Sequence, residues 1–261
     1  MRCTGALSDG LRLAFGTLTR LPVPPPRRVD RTSARIAMLL APPIGLLLVT
    51  VTAMPLLLTT ARPALAALLA CSTVLLVAWG SRALHLDGLA DTTDALGSGA
   101  SAERALQIAR QSDIGPFGVL AIAAALLLQI ISLGTLAISA PAQYAFWAAV
   151  CCLGGARAAI TLGCTPWFPP ARADGLGAAV ADCVPRTAAI RTWVILAGLA
   201  VLAIGPTGPI AVLAAALGAA LTLVKARSRL GGMTGDVLGA SVEVAGTVGL
   251  VTACLVNQFL T

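Results

Sequence analysis

The sequence predicts an all-α, polytopic integral membrane helical bundle of six or seven transmembrane helices, with an active site at the cytoplasmic face. Three observations carry this reading. Of the 261 residues, 57% are hydrophobic and only 11% charged, whereas a soluble domain carries roughly a quarter charged residues. The apolar residues come in long runs, and a helix needs about 20 of them to cross the hydrocarbon. The remaining polar residues concentrate in a few short stretches between the runs. No linker separates soluble modules and no repeat is visible, so residues 1–261 read as a single membrane-embedded domain.

Residues 1–33 read as a cytoplasmic, interfacial segment. Asp9, Arg12 and Arg20 interrupt its apolar stretch, which makes it too polar for the core of a signal peptide. Leu11, Phe15 and Leu18 share one side of a helix lying in the interface, and the prolines from Pro22 to Pro26 end it. Spans follow at 34–59, 63–84, 116–138, 141–163, 191–205, 208–225 and 240–260. The fifth is short and the seventh weakly apolar, hence six or seven. Pro42 and Pro43 sit inside the first span, where their missing N–H donors are expected to kink it.

Charge placement orients the bundle. With a cytoplasmic N-terminus and seven crossings, the cytoplasmic segments are 1–33, 82–115, 164–190 and 225–239. Lys and Arg gather there, Arg62 falls on the opposite side, and the loops 139–143 and 205–208 carry no charge. This positive-inside pattern reads as a multi-pass protein of the cell's inner (plasma) membrane, with the N-terminus and the site cytoplasmic. The net charge of +7 does not indicate a nucleic-acid partner. The arginines flank spans, and no basic stripe interleaved with aromatics is present. The seven cysteines follow no metal-ligand spacing and read as small apolar packing groups. Small residues within the spans, such as Gly154, Gly155, Gly246 and Gly249, suit close helix contacts and leave room for self-association.

Chemistry is expected in four segments on that one side. In His85–Gly97, Asp87, Asp91 and Asp94 are spaced i, i+4, i+7 and share one face of a helix. Three carboxylates on one face repel unless a cation sits among them, and a hard divalent ion such as Mg²⁺ is the natural one. His85, the single histidine, lies nearly opposite that face, where a structural hydrogen bond competes with a phosphate or base contact. The second segment, residues 104–118, begins helical and ends in a Gly-Pro turn. Arg110 is a candidate for bidentate binding of a diphosphate, with Ser112 and Arg104 as further substrate contacts. In the third, residues 231–243, glycines let backbone amides approach a phosphate. Thr234 and Gly235 are candidate substrate contacts there. Asp236 and Glu243 lie seven apart, and a carboxylate inside a span is functional by default. The fourth, residues 164–177, holds Trp167 and Phe168, read as interface aromatics or as flanks for a flat ring, and Arg172 and Asp174 on a Gly-rich loop.

Four stretches carry a family resemblance. They are Leu18-Thr19-Arg20-Leu21-Pro22-Val23-Pro24, the block from His85 to Asp94, Ser112-Asp113-Ile114-Gly115-Pro116-Phe117-Gly118, and the block from Gly232 to Ala240. In order and spacing they resemble the adenosylcobinamide-GDP ribazoletransferase, or cobalamin synthase, family along the whole chain. Two positions depart from the family's usual pattern: Ala95 stands where Gly is common, and Arg110-Gln111-Ser112 where Lys/Arg-Asp-Ser is common.

The resemblance implies an integral membrane enzyme using Mg²⁺. It would join adenosylcobinamide-GDP to α-ribazole or its 5′-phosphate, giving adenosylcobalamin or its 5′-phosphate and GMP. Those two substrates and the lipid bilayer are the partners expected. Mapped onto this chain, Asp87, Asp91, Asp94, Asp236 and Glu243 are the candidate metal ligands. Asp94 is the candidate base, with Asp91 and Arg110 the other catalytic candidates. Two rivals share some features. A CDP-alcohol phosphotransferase would match Asp91-Thr92-Thr93-Asp94 but lacks its following Gly and its downstream Asp pattern. A cation or metabolite transporter would place carboxylates near the bilayer midplane, on broken helices and often within repeats.

Overall fold

The structure, a computed structural model, describes residues 2–58, 62–111 and 113–260. It is helical, with no strand among the described residues. The elements are α1 (Arg2–Leu18), α2 (Arg31–Ala53), α3 (Pro63–Gly80), α4 (Leu84–Gly97), α5 (Ala102–Ile108), α6 (Pro116–Ser139), α7 (Ala142–Ala149), α8 (Ala158–Gly163), α9 (Gly175–Val180), α10 (Arg186–Ile204), α11 (Thr207–Leu230) and α12 (Gly235–Leu260). Seven stretches are long and apolar enough to span a membrane: Arg31–Leu58, Pro63–Gly80, Pro116–Ser139, Ala142–Gly163, Arg186–Ile204, Thr207–Leu230 and Gly235–Phe259. All seven expected crossings are therefore helices.

Their boundaries differ from the hydropathy reading for local reasons. The second span stops at Gly80 instead of running on to 84, because Arg82 and Ala83 take positive φ (56° and 55°) and turn the chain into α4. The fifth starts at Arg186, just after Pro185, and reaches 19 residues. The seventh starts five residues before 240, because the Thr234 hydroxyl accepts the Val237 N–H (3.2 Å) and caps the helix. α2 begins in a capping box between Asp30 and Ser33 and continues as helix through Pro42 and Pro43. A short 3₁₀ turn, Met54–Leu58, follows it.

The bundle is packed through small residues and presents large ones outward. Ala37, Ala41, Ala66, Ala148, Ala211, Ala219 and Ala253 are fully buried, while Leu202, Leu213, Leu221 and Phe259 are exposed. That is the pattern of helices packed in lipid, where large side chains gain nothing by hiding from the hydrocarbon. The Ala142–Gly163 span is the most enclosed. It widens to a π-turn at Val150–Gly154 and tightens to a 3₁₀ turn at Gly155–Arg157, where it meets α2. The α carbon of Leu46 and the carbonyl of Gly45 would each lie 3.0 Å from a Cβ on Gly154. Arg157 emerges from this irregular stretch with its side chain inside the bundle.

α1 packs along α2. Ala14 and Leu18 are its buried positions, Leu11 stays exposed, and Asp9 accepts the Arg27 N–H (2.9 Å). With seven crossings, the α3–α6, α8–α10 and α11–α12 connections all fall on the side where the first span begins. α4 forms part of the α3–α6 connection. It packs against both α12 and α6, with His85, Leu86, Gly88, Leu89 and Ala90 buried.

Candidate active site

The three aspartates of α4 share a face, as their spacing requires, but have different surroundings. Asp87 is exposed, while Asp91 and Asp94 are half-buried. Asp94 caps the next span: its two oxygens accept the Gly115 N–H (2.8 Å) and the Gly118 N–H (3.0 Å). A carboxylate here satisfies donors left open at a helix start and complements the helix dipole. This is structural work, and each oxygen keeps a lone pair beyond the bond it accepts. The sequence reading names Asp94 as base and metal ligand; the structure adds a capping role, which depends on the path of the Gly-Pro turn and not on the spacing within α4.

α12 brings the fourth carboxylate. Asp236 lies in its first turn and accepts the Thr234 hydroxyl proton (3.2 Å). Thr234 is buried and acts as the helix cap, while Gly235 lines a cavity of about 280 Å³ together with His85, Asp87, Arg172 and Asp236. Two glycines allow α4 and α12 to meet this closely. A Cβ on Gly88 would lie 2.6 Å from the Asp236 carbonyl oxygen, and one on Gly239 would lie 3.2 Å from the His85 Cα.

The connection between α8 and α9 brings Arg172 to the cavity. Residues 169–171 run beside 231–233: the Met233 N–H donates to Pro169 O (2.8 Å) and the Ala171 N–H to Met233 O (2.9 Å). Gly232 is required here, since a Cβ would run into the backbone of Pro169, Pro170 and Ala171. The next residue, Arg172, reaches Asp236 at 3.5 Å. Two residues on, Asp174 takes both its hydrogen bonds from Arg110 at 2.7 Å. That guanidinium holds the Asp174 carboxyl below its ordinary range. Arg227 donates to Trp167 O (2.9 Å), and Arg186 lies over the Trp167 ring at 5.4 Å. Phe168 is buried in the core, so it does not flank a ring in the cavity.

Several expected residues stand elsewhere. Arg110 is engaged on the surface by Asp174. Arg104 is exposed and donates to Gln107 (3.1 Å). Ser112 lies outside the described residues. Glu243 sits deeper in α12, accepting from Gln129 (3.1 Å), and shares a cavity of about 20 Å³ with Arg157 and Gln129. It forms a second polar cluster, apart from Asp87 and Asp236. His85 is fully enclosed, and neither ring nitrogen has a partner among the described residues. Burial, then the Arg157 charge, push it down to about 3, so the ring is neutral. Arg172 is the residue that sequence reasoning left without a role. Its placement depends on the 169–171 pairing, which no local spacing announces.

The carboxylates of α4 and α12 are electrostatically linked. Burial, and then the charges of Asp87, Asp236 and Asp94, push Asp91 up to about 7. These carboxylates therefore act on one another, and Arg172 lines the cavity that Asp87 and Asp236 share. Among the described residues, no three His, Cys, Asp or Glu side chains stand close enough to share one ion. The five-residue ligand set is thus not assembled. A pair from two helices, Asp87 and Asp236, suits Mg²⁺, which is usually held by one or two carboxylates and completed by water and substrate phosphates.

Comparison with known proteins identifies the family. Residues 10–254 match the model of the family described as cobalamin-5-phosphate synthase. An adenosylcobinamide-GDP ribazoletransferase of a Nocardioides species is 42% identical over 247 residues, covering 92% of this chain and 95% of that protein. Proteins of the same name from Frankia casuarinae and Azorhizobium caulinodans are 36% and 40% identical, covering 94% and 67% of this chain and 94% and 66% of theirs. No solved structure matches. A chain matched from its first helix into its last by one family model, and by two relatives over more than nine-tenths of their length, belongs to the cobalamin-5-phosphate synthase family.

Proposed function

We propose that this protein is an adenosylcobinamide-GDP ribazoletransferase that works by Mg²⁺-dependent phosphoryl transfer in the inner membrane, its site facing the cytoplasm. Family membership supports the substrates and sets aside the CDP-alcohol phosphotransferase and transporter readings. The gathering of Lys and Arg on the side of the site supports the orientation. The observation that carries the chemistry is the approach of Asp87 and Asp91 on α4 to Asp236 on α12, beside a cavity open to a phosphate-bearing ligand.

In this reading the acceptor hydroxyl of α-ribazole, or of its 5′-phosphate, attacks the phosphorus next to cobinamide. A new P–O bond forms there, and the bond from that phosphorus to the bridging oxygen breaks. The bridging oxygen leaves with GMP. Asp91 takes the hydroxyl proton. Unlike Asp94 and Asp236, it has no hydrogen-bonding or ion-pair partner among the described residues, and it is close enough to both to feel their charge. Asp87 and Asp236 would hold Mg²⁺, which when bound neutralises charge on the diphosphate. Arg172, from the 164–174 loop, lines the same cavity as Asp87 and Asp236. Positioning and charge stabilisation supply most of the acceleration in transfers of this kind.

The test is direct. Membranes containing the purified protein are given adenosylcobinamide-GDP, α-ribazole or its 5′-phosphate, and Mg²⁺. GMP and the joined corrinoid should form together. Absence of both products with either acceptor would remove the assignment.

A further inference from the structure

Arg172 is held unlike any other arginine of the site. Arg110 makes two hydrogen bonds of 2.7 Å to Asp174, the geometry of a satisfied charge pair. Arg172 instead sits 3.5 Å from Asp236, beyond the roughly 2.7–2.9 Å of a strong charge-assisted hydrogen bond. Its Nη1 is buried and has no partner among the described residues. A buried guanidinium nitrogen without an acceptor is costly, and this one borders a cavity close to the size of small ligand pockets, roughly 300 Å³.

The surrounding backbone fixes the side chain there. The 169–171 pairing with 231–233 holds it on one side, with Gly232 making the contact. On the other side the Arg110–Asp174 pair ties down the same loop two residues away. At the base of the loop, the Val184 N–H donates to Cys164 O (3.1 Å). Arg172 is thus a fixed cation with one loose partner and one open donor, beside two carboxylates suited to a divalent ion.

We propose that Arg172 is the anion-binding arm of the site and Asp236 its resting counter-ion, so that a divalent cation at Asp236 and a phosphate at Arg172 bind cooperatively. The argument rests on the reading above and extends it. With the site empty, Asp236 and Arg172 partly neutralise each other. A cation drawing on Asp236 leaves Arg172 without its partner and so strengthens its hold on a phosphate. A phosphate on Arg172 frees Asp236 for the cation. The coupling is reciprocal by linkage. Arg110 then positions the loop and does not touch the phosphate.

The experiment measures binding without turnover, in detergent-purified full-length protein, with Mg²⁺ and GMP as probes at controlled free Mg²⁺. Wild type should bind GMP about tenfold tighter at saturating Mg²⁺, and Mg²⁺ tighter by the same factor with GMP present. Arg172→Ala should weaken GMP binding about tenfold to a hundredfold while leaving Mg²⁺ binding without GMP equal or tighter. Arg172→Lys, which keeps the charge but not the planar fork, should fall between the two. Unchanged GMP affinity in Arg172→Ala would overturn the proposal. So would loss of Mg²⁺ binding in a folded Arg172→Ala protein, since the arginine would then only support the aspartates. If that variant does not fold, absence of coupling in wild type is itself decisive against the arm. The two readings fail separately. Mg²⁺-coupled binding of inorganic phosphate that needs Arg172, without any binding of GMP, would keep the arm and reject the ribazoletransferase. Intact GMP release independent of Arg172 would do the reverse.

Discussion

Gly88 of α4 and Asp236 of α12 pack so closely that a Cβ on Gly88 would lie 2.6 Å from the Asp236 carbonyl oxygen. The absence of one side chain thus sets how near Asp87 and Asp91 come to the fourth aspartate. Gly88→Ala adds a methyl group, removes no functional atom, and must push the two helices apart. Activity should fall at least about tenfold, since displacements near 1 Å at a catalytic centre can cost about a hundredfold. Gly198→Ala, at a position with nothing within 4 Å of the new Cβ, should be silent. GMP release by the two variants in the same membranes checks this.

Much of this arrangement is legible in the sequence, and the remainder is absent for physical reasons. The spans are legible because their apolar length is itself what a bilayer demands. The shared face of Asp87, Asp91 and Asp94 follows from helical spacing alone. What spacing cannot supply is the partner across the gap. Asp94 is also a cap because Gly115 and Gly118 arrive at it from another segment. Arg110 and Arg172 sit on the same side of the membrane and look equally suited to a phosphate. The 169–171 pairing with 231–233 places Arg172 in the cavity and leaves Arg110 outside it. Arg157 and Gln129 did carry a readable signal, as polar residues in the interior of spans.

Asp91 and Asp94 should separate cleanly under mutation. Asp94→Ala removes acceptors for two backbone N–H groups at the start of α6 and should cost about 0.5–2 kcal/mol of stability. Asp94→Asn retains an acceptor, and Asn is itself a good cap, so it should keep part of both stability and activity. Asp91→Asn should leave thermal stability near wild type and lower turnover about a hundredfold or more, the usual contribution of a positioned proton acceptor. Melting curves in detergent beside initial rates of GMP release distinguish the two. Equal activity losses in Asp94→Asn and Asp91→Asn would contradict the division of labour.

The pH dependence of stability follows from Asp91. Its folded value, pushed up to about 7 from the ordinary 3.8, means that between these values the native state holds a proton that the unfolded chain has released. Stability in the absence of divalent cations should therefore fall as pH rises from about 4 to about 7. The contribution is fully present below that window and lost above it. Asp91→Asn should flatten this part of the profile, as measured by thermal unfolding in a chelating buffer. An opposite slope that Asp91→Asn leaves unchanged would assign the effect to another group.

Glu243 and Arg157 offer a contrasting test, because their cluster lies within the spans and away from Asp236. Gln129 donates to both Glu243 (3.1 Å) and Thr247 (2.9 Å), Arg157 donates to Leu153 O (2.8 Å), and the shared cavity of about 20 Å³ is large enough for one water molecule. Two opposite charges enclosed together tolerate each other, but removal of one leaves the other unbalanced, at about 3–5 kcal/mol. Glu243→Gln and Arg157→Met should each destabilise the bundle strongly. The double variant should lose less than the sum, because it replaces both charges at once. It should also retain measurable GMP release, since neither side chain lines the cavity of Asp87, Arg172 and Asp236. A stable double variant with no activity would move Glu243 from the framework of the bundle into its chemistry.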